Sequence, residues 1–276
     1  MMPRETGMTL TSERIGELRK WLSERGRSQN TAKAYCGDLL TFMEATGSPT
    51  VTADELEELA MAWLQMNRNK IAPATTIRRL TSLKAWCNYA GIKALEEYSG
   101  PQALKTMPHP LPGGIEDVFK LLRVCHLQEH EALVAQCGLM GMRVGEAISS
   151  RASNFNLTDM TIKTGLKRER LRIVPVSSHA WSVLQMPVTR SFINDDALVV
   201  GIKDRYARQL ITNLGIRAGI TRHISSHDLR STFATQVYAD TKDIRLVQEL
   251  LGHDSVTTTQ LYTDVALKTA RKAVEF

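Results

Sequence analysis

The chain is expected to fold as a mainly α protein of two domains: a four-helix bundle over residues 1–98, then a larger helical domain with a small antiparallel β-sheet over residues 115–276. Three observations predict this architecture. Apolar residues recur at helical period through residues 11–91, and again over Ile115 to His126, Asp204 to Ala218, Arg230 to Ala239 and Asp243 to Leu251. Pro101, Pro108, Pro110 and Pro112, ending in Gly113-Gly114, break that pattern. Proline lacks an amide donor and disfavours helix at the residue before it, so residues 99–114 read as an extended linker. From Thr161 to Val176 two apolar-rich segments flank the charged tip Lys167-Arg168-Glu169-Arg170, which reads as a β-hairpin.

Within the first domain, Ile15, Leu18 and Leu22 share one helical face before Gly26, and Tyr35, Leu39, Phe42 and Met43 share another before Gly47-Ser48-Pro49. Thr52 and Glu55 have the spacing of a capping box ahead of Leu56, Leu59, Ala60 and Trp63. After Pro73 a fourth helix carries Ile77, Leu80, Leu83 and Cys87 and stops near Gly91. Four such helices bury their apolar stripes by packing on one another.

Composition narrows the class of partner. With 276 residues and 43% hydrophobic content the chain can bury a sizeable core, and 35 basic against 29 acidic residues leave a net charge of +6. A pI near 9.2 is a mild bias toward polyanions. The cysteines at 36, 87, 125 and 137 form no C-x-x-C pair, so they read as reduced core residues, with neither a disulfide frame nor a metal site expected. No run of about 18 apolar residues occurs and the start Met-Met-Pro-Arg-Glu has no signal-peptide core, so a cytoplasmic protein off the membrane is expected.

The chemistry lies in the last fifty residues, in His227-Asp228-Leu229-Arg230, Leu250-Leu251-Gly252-His253 and Tyr262. A tyrosine with a pKa of about 10 is only about one part in a thousand ionised at neutral pH, so as a nucleophile it needs a proton acceptor or a strongly positive site. If it attacks a phosphodiester, negative charge spreads over the non-bridging oxygens, which guanidinium forks match in shape and charge. The departing 5′-oxygen needs a proton, which a lysine of lowered pKa supplies. Taken singly, Arg143 reads as a salt-bridged helix residue, His227 as a cap and Tyr262 as a packing residue; their joint spacing points to one site.

That constellation resembles the tyrosine recombinases, the phage integrase family. Gly141-Met142-Arg143-Val144-Gly145-Glu146-Ala147 is similar to the family's first arginine box, G-L-R-x-x-E-L, and His227 through Thr235 to its H-x-L-R-H-T-F-A-T box. Leu250-Leu251-Gly252-His253 and Tyr262 resemble its L-L-G-H box and nucleophile, with the spacings from Arg230 to His253 and on to Tyr262 usual in Xer-type members. Ser231 and Asp264 depart from the commoner histidine and from the residue usual just past the tyrosine, at positions that do not carry the family's reaction.

The resemblance implies a core-binding (SAM-like) bundle at residues 1–98 and a catalytic domain at 115–276. It also implies a short, core-only enzyme, since the bundle begins by about residue 11 and leaves no room for an arm-binding domain. Tyr262 would attack the scissile phosphate to leave a 3′-phosphotyrosine, Arg143 and Arg230 would clamp its oxygens, His253 would donate to one of them, His227 would take the tyrosine proton, and Glu146 would orient the site from behind. Counting back from Val174-Pro175 places the general acid at Lys167; the alternative takes Lys163-Thr164-Gly165 as a K-T-G pattern and makes it Lys163. Lys163, Arg168 and Arg170 around the hairpin tip, and Arg78 and Arg79 in the bundle, are candidates for DNA contact, and the five basic residues from Lys163 to Arg172 read as a phosphate-facing run. The partners implied are double-stranded recombination sites held by a homotetramer, with strand exchange through a Holliday junction and no cofactor, metal or ATP. The tail after Tyr262 would dock on a neighbouring protomer. Two other readings share these residues: DNA relaxation of the type IB topoisomerase kind, and a DNA-binding accessory protein without catalysis. Replacing Arg143 or Arg230 by alanine is expected to spare folding.

Overall fold

Thr11 starts the first long helix: its hydroxyl accepts from the Arg14 amide at 3.3 Å, and α1 (Ser12–Glu24) then buries Ile15, Leu18 and Leu22 along one face. The computed structural model describes residues 8–47, 50–66, 70–99, 109–165 and 171–252. Ser28 caps α2 (Gln29–Thr46), which ends at Gly47. The Thr52–Glu55 box opens α3 (Ala53–Met66) as its spacing predicts, the Thr52 amide donating to Glu55 Oε2 at 2.8 Å and the Glu55 amide to Thr52 Oγ1 at 3.4 Å. Pro73 begins α4 (Pro73–Ala90), where its missing amide costs no helical hydrogen bond. Leu18, Leu39, Phe42, Trp63, Leu83 and Trp86 fill the core between the four helices. A two-stranded ribbon, β1 (Met8–Thr9) with β2 (Thr50–Val51), joins the bundle's start to the α2–α3 connection; strands of two residues are too short to show an alternating pattern in sequence.

Two arginines expected to face DNA are engaged inside this unit. Asp38 is buried, and its carboxylate accepts from the Ser82 hydroxyl at 2.9 Å and pairs with Arg78 at 3.0 Å and with Arg79 at 3.9 Å. The Arg79 guanidinium also lies 4.5 Å from the centroid of the Trp63 ring. Arg79 thus packs within the bundle, through contacts that helical period cannot reveal because Asp38 and Trp63 come from other helices. Arg78 keeps more of its side chain in solvent, 41% against 14% for Arg79.

The chain divides into two compact units, Met1–Lys105 and Thr106–Phe276. Residues 109–111, inside the expected linker, are anchored in the second unit: Leu111 is buried, its amide donates to Thr232 Oγ1 at 2.8 Å, and Arg222 donates to the carbonyls of His109 and Pro110. The second unit runs through α5 (Ile115–Arg123), α6 (Gln128–Gly138) and α7 (Val144–Ile148) to strands β3 (Phe155–Asn156), β4 (Thr161–Thr164) and β5 (Arg172–Pro175). It continues with α8 (Ser178–Ile193), α9 (Asp204–Arg217), α10 (Ser226–Thr241) and α11 (Ile244–Leu251). Helix α5 stops three residues before the expected His126, where the Val124 and Cys125 amides turn back to Leu121 and Leu122.

Helix α6 is the central element, packed against α5, α7, α8, α9 and α10, with Ala132 through Gly138 all buried. The expected hairpin is the β4–β5 pair, joined on one side by β3 into a three-stranded antiparallel sheet. Its register pairs Ile162 with Val174 and Thr164 with Arg172 on the buried face, and Lys163 with Ile173 on the exposed one. The fold is thus mainly α with a small antiparallel sheet. All four cysteines are buried free thiols, and among the described residues no helix is long and apolar enough to cross a membrane.

Candidate active site

Gly141 and Arg143 set one wall. Gly141 has φ +63, and a Cβ there would stand 2.3 Å from Cδ1 of Phe233, so the turn before α7 needs glycine twice over. Gly141→Ala is expected to lower unfolding free energy by about 2–4 kcal/mol, combining left-handed strain with overpacking, as measured by urea denaturation. A loss under about 0.5 kcal/mol would mean that Phe233 moves aside at little cost. Arg143 is the N-cap of α7; its amide donates to Glu146 Oε2 at 2.7 Å and its guanidinium reaches Glu146 Oε1 at 3.3 Å.

Glu146 is the hub. It is 2% exposed, and Arg172 of β5 meets both of its oxygens, Nη1 on Oε1 and Nη2 on Oε2, each at 2.7 Å. Arg230 stands at 3.8 Å from Oε2. Burial alone would push the Glu146 carboxyl up, but the hydrogen bonds and charge of Arg172, the Arg143 amide and the charge of Arg230 outweigh it and hold the carboxyl below its ordinary value. Glu146 is therefore an ionised carboxylate within a cationic cluster.

Helix α10 brings the second arginine box to the same place. Ser225 and Asp228 form a capping box, with the Ser225 amide and hydroxyl donating to Asp228 at 2.7 and 2.6 Å, and Arg222 pairs with the same carboxylate at 2.8 Å. The helix consequently begins at Ser226, four residues earlier than apolar period indicated, and His227 and Arg230 share a face at a spacing of three. Arg230 is 2% exposed, and its guanidinium donates to the Gly141 carbonyl at 2.6 Å and to the Leu251 carbonyl at 2.5 Å. Protein around the His227 ring, then the charges of Arg230, Arg143 and Arg208, push that histidine below its ordinary pKa against a smaller opposing effect of Asp228. His227 is nonetheless an exposed residue, and a histidine held below its ordinary pKa is neutral near pH 7, the state that can accept a proton.

The third box meets the site at the end of α11. Asp243 caps its start, and its last carbonyls are taken by two arginines: Arg172 Nε donates to Leu250 O at 2.7 Å, beside the Arg230 bond to Leu251 O. Cations at a helix carboxyl end are favoured by its dipole. Arg172 was expected among the phosphate-facing residues of the hairpin; it is instead 8% exposed and turned inward. The alternation of β5 carries the signal, since Val174 must face the core and Arg172 lies two residues from it. Lys163 is on the outer face of β4. Lys167, Arg168, Arg170, His253 and Tyr262 lie outside the described residues.

Residues 116–268, more than half of the chain, match the phage integrase family. The chain is 29% identical to the tyrosine recombinase XerA of Pyrococcus furiosus over 97% of this chain and 94% of that one, and 29% identical to the tyrosine recombinase XerD of Oceanobacillus iheyensis over 88% and 90%. Among solved structures, the XerH site-specific recombinase bound to palindromic difH substrate in a post-cleavage complex superposes with a TM-score of 0.71 at 21% identity, covering 96% of this chain and 84% of that one. The Tn1549 transposon integrase in complex with transposon right end DNA superposes with a TM-score of 0.66 at 15% identity, covering 98% and 100%. These two likenesses are of fold. A match that spans all three motif boxes and the tyrosine beyond them establishes that this protein belongs to the phage integrase family, as a tyrosine recombinase.

Proposed function

We propose that this chain cuts and rejoins DNA at specific sites through a 3′-phosphotyrosine intermediate, with residues 115–276 as the catalytic domain and residues 1–98 as a DNA-binding domain. Tyr262 attacks phosphorus while His227 takes its proton; Arg143, Arg230 and His253 hold the non-bridging oxygens as charge builds on them. The bond to the 5′-oxygen breaks, and Lys167 gives that oxygen its proton. The tyrosyl ester conserves the energy of the broken phosphodiester, so a 5′-hydroxyl from a second strand restores it without ATP. Two such exchanges, by four protomers on paired sites in the cytoplasm, pass through a Holliday junction.

The observation that supports this reading most is the placement of Arg230. It touches the first box through Gly141, 89 residues away in sequence, and the third box through Leu251, 21 residues away. Three motifs that phosphoryl chemistry would require together meet at one buried guanidinium. The relatives named XerA and XerD and the DNA-bound XerH and Tn1549 structures support DNA recombination sites as the substrate.

The test is capture of protein–DNA adducts from nicked duplexes carrying a randomised segment, where loss of the short strand below the nick traps the intermediate. Repeated recovery and amplification are expected to converge on one duplex site. Failure to form any adduct would leave an accessory DNA-binding role. Relaxation of supercoiled DNA lacking any selected sequence, at the rate seen with the site, would favour the topoisomerase reading.

A further inference from the structure

Arg172 is buried beneath the proposed phosphate site, yet no step of the proposed reaction uses it. It makes three bonds of 2.7 Å, two to the oxygens of Glu146 and one to the carbonyl of Leu250. It also lies against the α11 terminus: Gly252 has φ +64, and a Cβ there would be 3.0 Å from Arg172 Cδ and 3.3 Å from its Nη1. The next residue is His253.

We propose that Arg172 is a positioning residue for the phosphate clamp. By occupying both oxygens of Glu146 it keeps that carboxylate from drawing Arg143 and Arg230 inward, and by holding Leu250 it fixes the point from which the chain proceeds to His253. This rests on the reading of Arg143, Arg230, His253 and Tyr262 given above. The distances rank the competition: Glu146 lies 2.7 Å from Arg172, 3.3 Å from Arg143 and 3.8 Å from Arg230. Attraction between charges rises as distance and local dielectric fall, so the nearest, bidentate partner claims the carboxylate. Without it a buried anion is left whose nearest remaining cations, among the described residues, are Arg143 and Arg230. Each guanidinium that turns toward Glu146 turns from the phosphate.

The test uses the full chain and the duplex selected by adduct capture, with DNA affinity, thermal melting and single-turnover cleavage measured for each variant. Arg172→Met is expected to bind DNA like the parent and to cleave at least about 100-fold more slowly, the scale of one lost transition-state donor. Adding Glu146→Gln removes the competing anion while keeping an acceptor for the Arg143 amide. Because removing both members of a buried pair is far milder than removing one, the double variant is expected to cleave at least about tenfold faster than Arg172→Met. A part played only in folding would let cleavage recover only in step with thermal melting, whereas the positioning role is read at a temperature where all three proteins are folded, with cleavage recovering there.

Arg172→Met cleaving within about threefold of the parent, which is under 1 kcal/mol of transition-state stabilisation, overturns the assignment. A double variant no faster than the single one overturns it as well. Should Arg172→Met not melt cooperatively, Arg172→Lys takes its place; lysine supplies a point charge but not the fork, and the same two outcomes apply. A parent chain that forms no adduct overturns the functional reading and this assignment together, whereas an active parent beside an equally active Arg172→Met overturns the assignment alone.

Discussion

Replacing Tyr262 by Phe is expected to leave binding of the selected duplex unchanged and to abolish the covalent adduct. Phenylalanine keeps the ring and loses only the hydroxyl oxygen, the proposed nucleophile. Without that oxygen the proposed covalent step has no nucleophile, so cleavage should fall by at least about 10⁴-fold, toward the limit of detection. Denaturing gel electrophoresis of labelled DNA after incubation reads the adduct directly. A persistent adduct would assign the nucleophile to another residue. Among the other tyrosines, Tyr89 donates its hydroxyl to Glu17 at 2.7 Å within the bundle, and Tyr206 lies beside His130.

The second large effect separates the two clamp arginines. Arg143→Ala and Arg230→Ala should each slow cleavage by about 10³-fold or more, since each removes a cation from a phosphoryl transition state. Their effects on folding should differ, contrary to the expectation from sequence that both are spared. The Arg143 side chain is 29% exposed, that of Arg230 only 3%. Removing Arg230 leaves the carbonyls of Gly141 and Leu251 without that donor and deprives Glu146 of one nearby cation. Breaking a buried charged contact from one side costs about 3–5 kcal/mol, so Arg230→Ala should unfold at markedly lower urea concentration, while Arg143→Ala should lose about 1 kcal/mol or less. Equal denaturation midpoints for the two variants would contradict this picture of the hub, and near-parental cleavage by both would contradict the clamp.

What could be read in advance divides along physical lines. The first four long helices are amphipathic, and their periodicity, caps and terminal glycines announce them before any partner is known. Helix α6 does not announce itself, because it is buried on nearly every side and so has no polar face to alternate with. Helix α8 turns Ala180, Leu184, Pro187, Val188 and Ser191 toward the core, and a proline and a serine in that stripe disguise it. The arginine, histidine and glutamate of the motif boxes are legible because the chemistry restricts residue type. Arg172 was misplaced because a basic residue in a basic run looks solvated, although the period of its strand sends it inward with Val174. Arg79 has no such clue; Asp38 and Trp63 meet it only after three helices pack.

The wiring of Arg230 also bears on when the molecule becomes able to act during its own synthesis. Its two carbonyl contacts close loops of 89 and 21 residues, and the second requires Leu251, near the end of the chain. Closing loops of this kind costs entropy that is repaid only once both ends are present, which places hub assembly late in folding. A ribosome-bound chain that has emerged only as far as residue 220 can already hold the folded bundle and helix α6, but it lacks Arg230, the α11 terminus and Tyr262. On the proposed reading a half-made protein would be unable to cut DNA, and competence would arrive in one late step, after the α11 terminus and Tyr262 have been made.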